Sequence, residues 1–359
     1  MTSRMAQEAA QAPQAVQRLL AHVTPLLEEL GARLREQPPR SVLTLARGSS
    51  DHAALHTGYL AMARLGQLVT SLPMSLVTLY RARISCDGLL ALAFSQSGQS
   101  PDLVEPLREF AARGAGTVAF VNDAQSPLAL SAQRVVALQA GPETSVAATK
   151  SCICQLVAGA AFVASWEAGP VMAGTGRSAG SGADRGQACA LQQALHQLPE
   201  ALGQAASLDW SPAIHVLREA RQLYVIGRGT GWPVAMEMAL KLKELCGVQA
   251  EAFSGAEVQH GPIALVEEGF TLLVLAPRGP AQAGLLELAA RLRERGASVL
   301  LAAPPGTPGA QLPIAPTADP ELDPISALQS FYVMVEALAR ARGLDPDSPR
   351  HLSKVTRTR

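Results

Sequence analysis

No sign of charge prevails in this 359-residue sequence: 30 Lys and Arg stand against 30 Asp and Glu, and the pI is near 7.1. That balance argues against the broad basic face of a nucleic-acid binder and against an acidic-membrane surface, so any anion site must be local. Cysteine is scarce. Cys86, Cys152, Cys154, Cys189 and Cys246 form an odd set without repeated C-x-x-C spacing, which indicates neither a disulfide framework nor a zinc cage. Cys152 and Cys154 stand two apart in an expected helix, where their side chains diverge, and no metal is expected. Long apolar runs are missing too. "LVAGAAFVASW" (156–166) falls well short of the roughly 18–20 residues that span a bilayer. The opening "MTSRMAQEAAQAPQAV" has no apolar stretch of the signal-peptide kind, so a cytoplasmic location and no membrane partner are expected.

What is present is a large apolar fraction, 48%, in a chain long enough for two domains. Val16, Leu19, Leu20, Val23, Leu26, Leu27, Leu30 and Leu34 recur at helical spacing, which predicts one or two amphipathic helices over 15–36. Beyond them, short apolar strands alternate with helical stretches: "SVLTLARGSSDHA" (41–53), "GLLALAFSQSGQS" (88–100), "PDLVEPLREFAARG" (101–114) and "GTVAFVND" (116–123). In the first of these, Ser and Asp after the glycine turn stand at expected helix-cap positions. Such alternation predicts parallel sheets covered on both faces. A Gly/Ser-rich stretch, "AGTGRSAGSGADRGQ" (173–187), reads as a linker, and the pattern then begins again. Arg47-Gly48 and Arg228-Gly229 lie 181 residues apart, as do Gly98 and Gly279, while "RGAGTVAF" and "RGASVLLA" match at 182. Three strand-loop matches in one register predict a tandem duplication of an α/β unit.

Function is sought in the loops that follow parallel strands, the usual ligand crevice. Ser95-Gln96-Ser97-Gly98-Gln99-Ser100 has become Ala276-Pro277-Arg278-Gly279 in the second copy, so the halves have specialised. Three serines, a glycine and Pro101 at a first helical position suit a phosphate held by hydroxyls and backbone N–H groups, with "RGSS" (47–50) as a second hydroxyl-rich turn. Serines also cap helices routinely, and composition alone leaves both readings open. The P-loop pattern is absent, and "GRGTG" (227–231) lacks the full dinucleotide spacing. Further on, Glu237, Lys241 and Glu244 share one face of a helix, which taken alone reads as a solvated salt-bridge stripe, and His260 reads as a surface histidine. A carboxylate, lysines and a histidine in one segment are also what aldose–ketose isomerisation needs: a base, a ring-opening group and a cation for the enediolate.

Four stretches in order, "SQSGQSPDL", "AGPETSVAATKS", "ALKLKELCGVQAEAFSGAEVQHGPIAL" and "PRHLSKVTRTR", together with the "RMAQEAAQAP" opening, resemble the tandem sugar-isomerase (SIS) domain family. Within it the resemblance is to the isomerase half of glucosamine-6-phosphate synthase and to stand-alone glucosamine-6-phosphate deaminases. The resemblance implies two flavodoxin-like SIS domains, with an N-terminal helical segment at 1–36, SIS domains at 37–168 and 196–343, a linker and helix start at 169–195, and an active-site tail at 344–359. It implies that Ser49, Ser95, Gln96, Ser97 and Ser100 grip the phosphate of a hexose or hexosamine 6-phosphate. Gly48, Ser50, Val146 and Ala147 complete the implied substrate contacts. Glu244 would shuttle the C1–C2 proton beside Lys241, His260 would open the ring from the neighbouring subunit of a homodimer, and Lys354 would form a Schiff base under a closing tail. No organic cofactor is expected, since side chains alone can run a proton-transfer isomerisation.

The sequence departs from the synthase pattern at Ala148, where a serine is usual, and at Arg47, where a cysteine is frequent. A glutaminase nucleophile is not expected either, since Thr2 follows Met1 and the first strand begins near Val42. The expected reaction is therefore conversion of glucosamine 6-phosphate to fructose 6-phosphate and ammonia. Galactosamine 6-phosphate deamination, fructosamine 6-phosphate deglycation and plain aldose–ketose isomerisation share the same groups. A phosphosugar sensor is disfavoured by the retention of Lys241, Glu244, His260 and Lys354 together and by the absence of a helix-turn-helix pattern. Whether Lys150 or Arg278 touches ligand stays open at this stage.

Overall fold

The computed structural model describes residues 2–168 and 182–354. Residues 169–181 of the expected linker and 355–359 of the expected tail lie outside them. The chain opens with α1 (Arg4–Ala10) and α2 (Ala12–Glu36), so the helical pattern over 15–36 forms a single helix. Then follow β1 (Ser41–Leu45), α3 (Ser49–Leu65), β2 (Val69–Ser71), α4 (Ser75–Thr78), β3 (Leu89–Ser95), α5 (Pro101–Ala112), β4 (Gly116–Val121), α6 (Pro127–Leu130) and β5 (Arg134–Ala137). Helices α7 (Lys150–Glu167), α8 (Gly182–Ala205) and α9 (Ser211–Leu217) lead to β6 (Gln222–Gly227), α10 (Gly231–Cys246) and β7 (Gln249–Ser254). The last part holds β8 (Thr271–Leu275), α11 (Gln282–Glu294), β9 (Ser298–Ala303), β10 (Leu312–Pro313) and α12 (Asp323–Ala341). No helix of the described residues is long and apolar enough to cross a membrane.

Two compact units result. One contains 14–142, 151–168 and 182–196 and is built on a parallel sheet in the order β2-β1-β3-β4-β5. All seven residues of β3 are buried, as a strand covered on both faces requires. On one face Leu103, Leu107 and Phe110 of α5 pack among Ala91, Ala93 and Val121. Burying each such side chain contributes about 1.5–3 kcal/mol before the entropy of ordering is counted. On the other, Phe94 stacks on Phe120 with centroids 4.2 Å apart, and Phe162 of α7 meets Phe120 edge-on at 5.9 Å. Helices α2 and α7 approach so closely that a Cβ on Gly31 would lie 2.2 Å from the Ser165 carbonyl oxygen, so only glycine fits there.

The second unit contains 2–13, Glu143–Lys150 and Gln197–Lys354, with a parallel sheet in the order β7-β6-β8-β9-β10. Leu285, Leu288 and Leu292 of α11 pack on Leu272, Val274, Val299 and Leu301. Both sheets therefore run in the flavodoxin-like order second-first-third-fourth-fifth. The duplication expected from spacing is present in three dimensions: β1 and β6 begin 181 residues apart, and β4 and β9 begin 182 apart. This order places the sheet's topological switch point between the first and third strands of each unit, where ligand crevices form.

Candidate active site

In the first unit the switch point lies between the loops after β1 and β3, which carry 46–48 and 96–100. The second loop is held by its own hydroxyls. Ser95 Oγ accepts from Gly98 N at 3.0 Å, and Ser97 Oγ accepts from Gln99 N at 3.3 Å. A hydroxyl that accepts from backbone keeps its own proton to donate. Gly98 has φ +61°, and a Cβ there would come within 2.1 Å of Ser126 Oγ, which is committed to Ala129 N as the cap of α6. Ser100 is the N-cap residue of α5 with Pro101 behind it, yet its side chain makes no cap hydrogen bond. Capping thus does not account for the loop's serines. Gln96 and Ser97 are partly exposed.

The loop after β1 differs in detail from its expected form. Gly48, at φ +56°, is the N-cap residue of α3, and Ser49, Ser50 and Asp51 occupy the first helical turn rather than a cap. A glycine takes this left-handed backbone without strain, which lets the chain turn directly from strand to helix. Burial pushes the Asp51 carboxyl pKa up, opposed by the charges of His52 and Arg47. Arg47 Nε donates to Asp102 Oδ2 at 3.0 Å, which links the two loops.

The remaining candidates lie in the second unit. Glu237, Lys241 and Glu244 fall on one face of α10, but that face is not a solvated stripe, because Lys241 and Glu237 are each 1% exposed. Lys241 Nζ donates to Glu244 Oε2 and lies 3.4 Å from Glu237 Oε1, which also accepts from the Tyr332 hydroxyl at 3.0 Å. A buried ammonium needs such partners, since removing one from a buried pair costs about 3–5 kcal/mol. Glu244 is 22% exposed and so is reachable from solvent. His260 is exposed, at the end of a 3-10 turn Glu257–Gln259.

Sequence reasoning left Glu143 without a role. Its carboxylate is fully buried and accepts from Lys354 Nζ at 2.9 Å and from Thr149 N at 3.0 Å. The "PET" stretch was the available signal, but a partner 211 residues away is invisible to local pattern. The same segment is tied down again by Glu8 of α1, whose carboxylate accepts from Thr144 Oγ1 at 3.1 Å and from Ser145 N at 3.2 Å. Val146 N donates to Asp347 O at 3.4 Å, and Ala147 is buried beside it. Lys150 Nζ donates to Gln11 Oε1 at 2.6 Å, a structural engagement. Arg278 is engaged as well: Nε and Nη2 each reach Asp323 at 2.7 Å, and these hydrogen bonds push its pKa up. The position that is a serine in the first copy's loop is here filled by an internal ion pair.

With this geometry in view, the family is clear. The SIS domain profile matches residues 37–165 and 216–341, and the chain belongs to the SIS domain family. It is 36% identical over 324 residues to a glutamine–fructose-6-phosphate aminotransferase (isomerizing) of Aeropyrum pernix, covering 88% of this chain and 50% of that protein. The corresponding enzyme of Thermus thermophilus is 33% identical over 91% of this chain and 53% of its own length. The chain spans about half the length of these curated relatives. Among solved structures, a provisionally assigned phosphosugar isomerase from Silicibacter pomeroyi superposes with a TM-score of 0.86 at 40% identity, over 96% of this chain and 100% of that one. The C-terminal domain of the Francisella tularensis glucosamine-fructose-6-phosphate aminotransferase shares the fold, with a TM-score of 0.80 at 23% identity, over 97% of this chain and 99% of that one.

Proposed function

We propose that this protein is a phosphosugar aldose–ketose isomerase that converts glucosamine 6-phosphate and water to fructose 6-phosphate and ammonia. The observation that carries the reading is the buried Lys241 ammonium donating to the reachable carboxylate of Glu244, a cation and a base fixed side by side. Ser49, Ser95, Gln96, Ser97 and Ser100, with Gly48 and Ser50, hold the 6-phosphate. His260 opens the ring, and its exposure leaves it available to a second copy in a homodimer. Support for the phosphosugar class also comes from the names of the aminotransferase and isomerase relatives above.

In the open chain Glu244 takes the proton from C2, and the electron pair forms the C1–C2 double bond as the C1 oxygen gains a proton. Lys241 offsets the negative charge that develops there. Glu244 then returns the proton to C1, which leaves an imine at C2. Water adds to that carbon and ammonia departs. In the reverse direction Lys354, held by Glu143, gives up a proton and its amine condenses with the ketose carbonyl to a Schiff base as the carbonyl oxygen leaves as water, and Val146 and Ala147 line the sugar from the segment that Glu8 fixes. The test is E244Q. Turnover of glucosamine 6-phosphate is expected to fall by roughly 100-fold or more while fructose 6-phosphate binding persists, and surviving turnover removes Glu244 as the base.

A further inference from the structure

Residues 47–50 and 95–100, the two loops at the first unit's switch point, carry one formal charge between them, that of Arg47. Its position is engineered by a buried partner. Asp102, the second residue of α5, has a side chain only 1% exposed and accepts from Arg47 Nε at 3.0 Å, while the arginine side chain is 55% exposed. A rim salt bridge would leave both groups in water; here one is buried and the other projects. Among the described residues Nη1 and Nη2 donate to nothing, so the guanidinium presents four N–H groups in a planar fork. That fork is fixed between the first turn of α3, next to Gly48 and Ser49, and the N-terminus of α5, two residues after Ser100. The Arg47 charge also reaches the first turn of α3, where it opposes the burial that pushes the Asp51 carboxyl pKa up.

We infer that Arg47 is a direct ligand of the substrate's phosphate, held in register by Asp102. This rests on the phosphosugar reading above and adds to it: the neutral hydroxyl and N–H donors define the shape of the anion site, and Arg47 supplies its charge. Bidentate guanidinium–phosphate contacts are directional and charge-assisted, so the residue selects a phosphorylated sugar over its neutral counterpart.

The test compares wild type, R47A and R47K. Fructose 6-phosphate affinity is measured by calorimetry at low and high salt, and KM and kcat are measured with glucosamine 6-phosphate. R47A should weaken binding roughly ten- to a hundredfold, with the loss in KM rather than kcat and with a shallower salt dependence. R47K should recover only part, since an ammonium keeps the charge without the fork. If R47A and R47K bind fructose 6-phosphate within twofold of a wild type that binds it, Arg47 is no phosphate ligand and the functional reading stands. A wild type that binds no phosphosugar overturns that reading and the role of Arg47 with it.

Discussion

Lys241 and Cys246 lie five residues apart on α10 and are both buried, but they meet different surroundings. Lys241 has two carboxylates beside it, whereas Cys246 has the Val335 carbonyl at 3.7 Å. Burial pushes the Cys246 thiol pKa up to about 12, with Arg342 only partly offsetting it. Reactivity requires the thiolate. Native protein treated with an alkylating reagent at pH 8 should therefore leave Cys246 unmodified by mass spectrometry and become labelled there once denatured; rapid native labelling would contradict the burial. The same contrast marks what the sequence conceals at this scale. The spacing of Glu237, Lys241 and Glu244 is legible in the chain, but solvated and buried stripes share it, and only the packing of α12, with Tyr332 on Glu237, decides between them.

At the scale of elements, the loop joining β3 to α5 depends on a backbone that only glycine adopts without strain. Gly98 combines φ +61° with the close approach of Ser126, so G98A must move either the loop or the cap of α6. The left-handed conformation costs about 1–2 kcal/mol for a residue with a Cβ, and the contact adds to that. A lower melting temperature and weaker fructose 6-phosphate binding are expected together, measured by thermal unfolding with and without ligand; unchanged affinity would mean that the loop does not hold the phosphate. This loop was legible as polar and hydroxyl-rich, and its place after a strand followed from the apolar run before it. Gly48 as the cap of α3 was less so, because Ser49 and Asp51 are themselves common caps and only the left-handed φ at Gly48 shifts the helix start by one residue.

Across the whole molecule the duplication was written in the residue spacing, and the sheets carry it out strand for strand. Divergence between copies was legible as well: Arg278 stands where the first copy has Ser97, and in the structure it is spent on Asp323. What could not be read was long-range pairing. Glu143 with Lys354 and Glu8 with Thr144 and Ser145 join segments more than a hundred residues apart, and no periodicity records such contacts. They bring the N-terminal helix and the segment before α7 into the unit that carries the second sheet. In the proposed reaction these contacts hold Lys354 and the sugar-lining residues.

The most direct test of the proposed reaction is to incubate the purified protein with glucosamine 6-phosphate and follow ammonia and fructose 6-phosphate together. Release of the two in equal amounts is the predicted result. Failure to release either, from protein that binds the phosphosugar, would contradict the deaminase account.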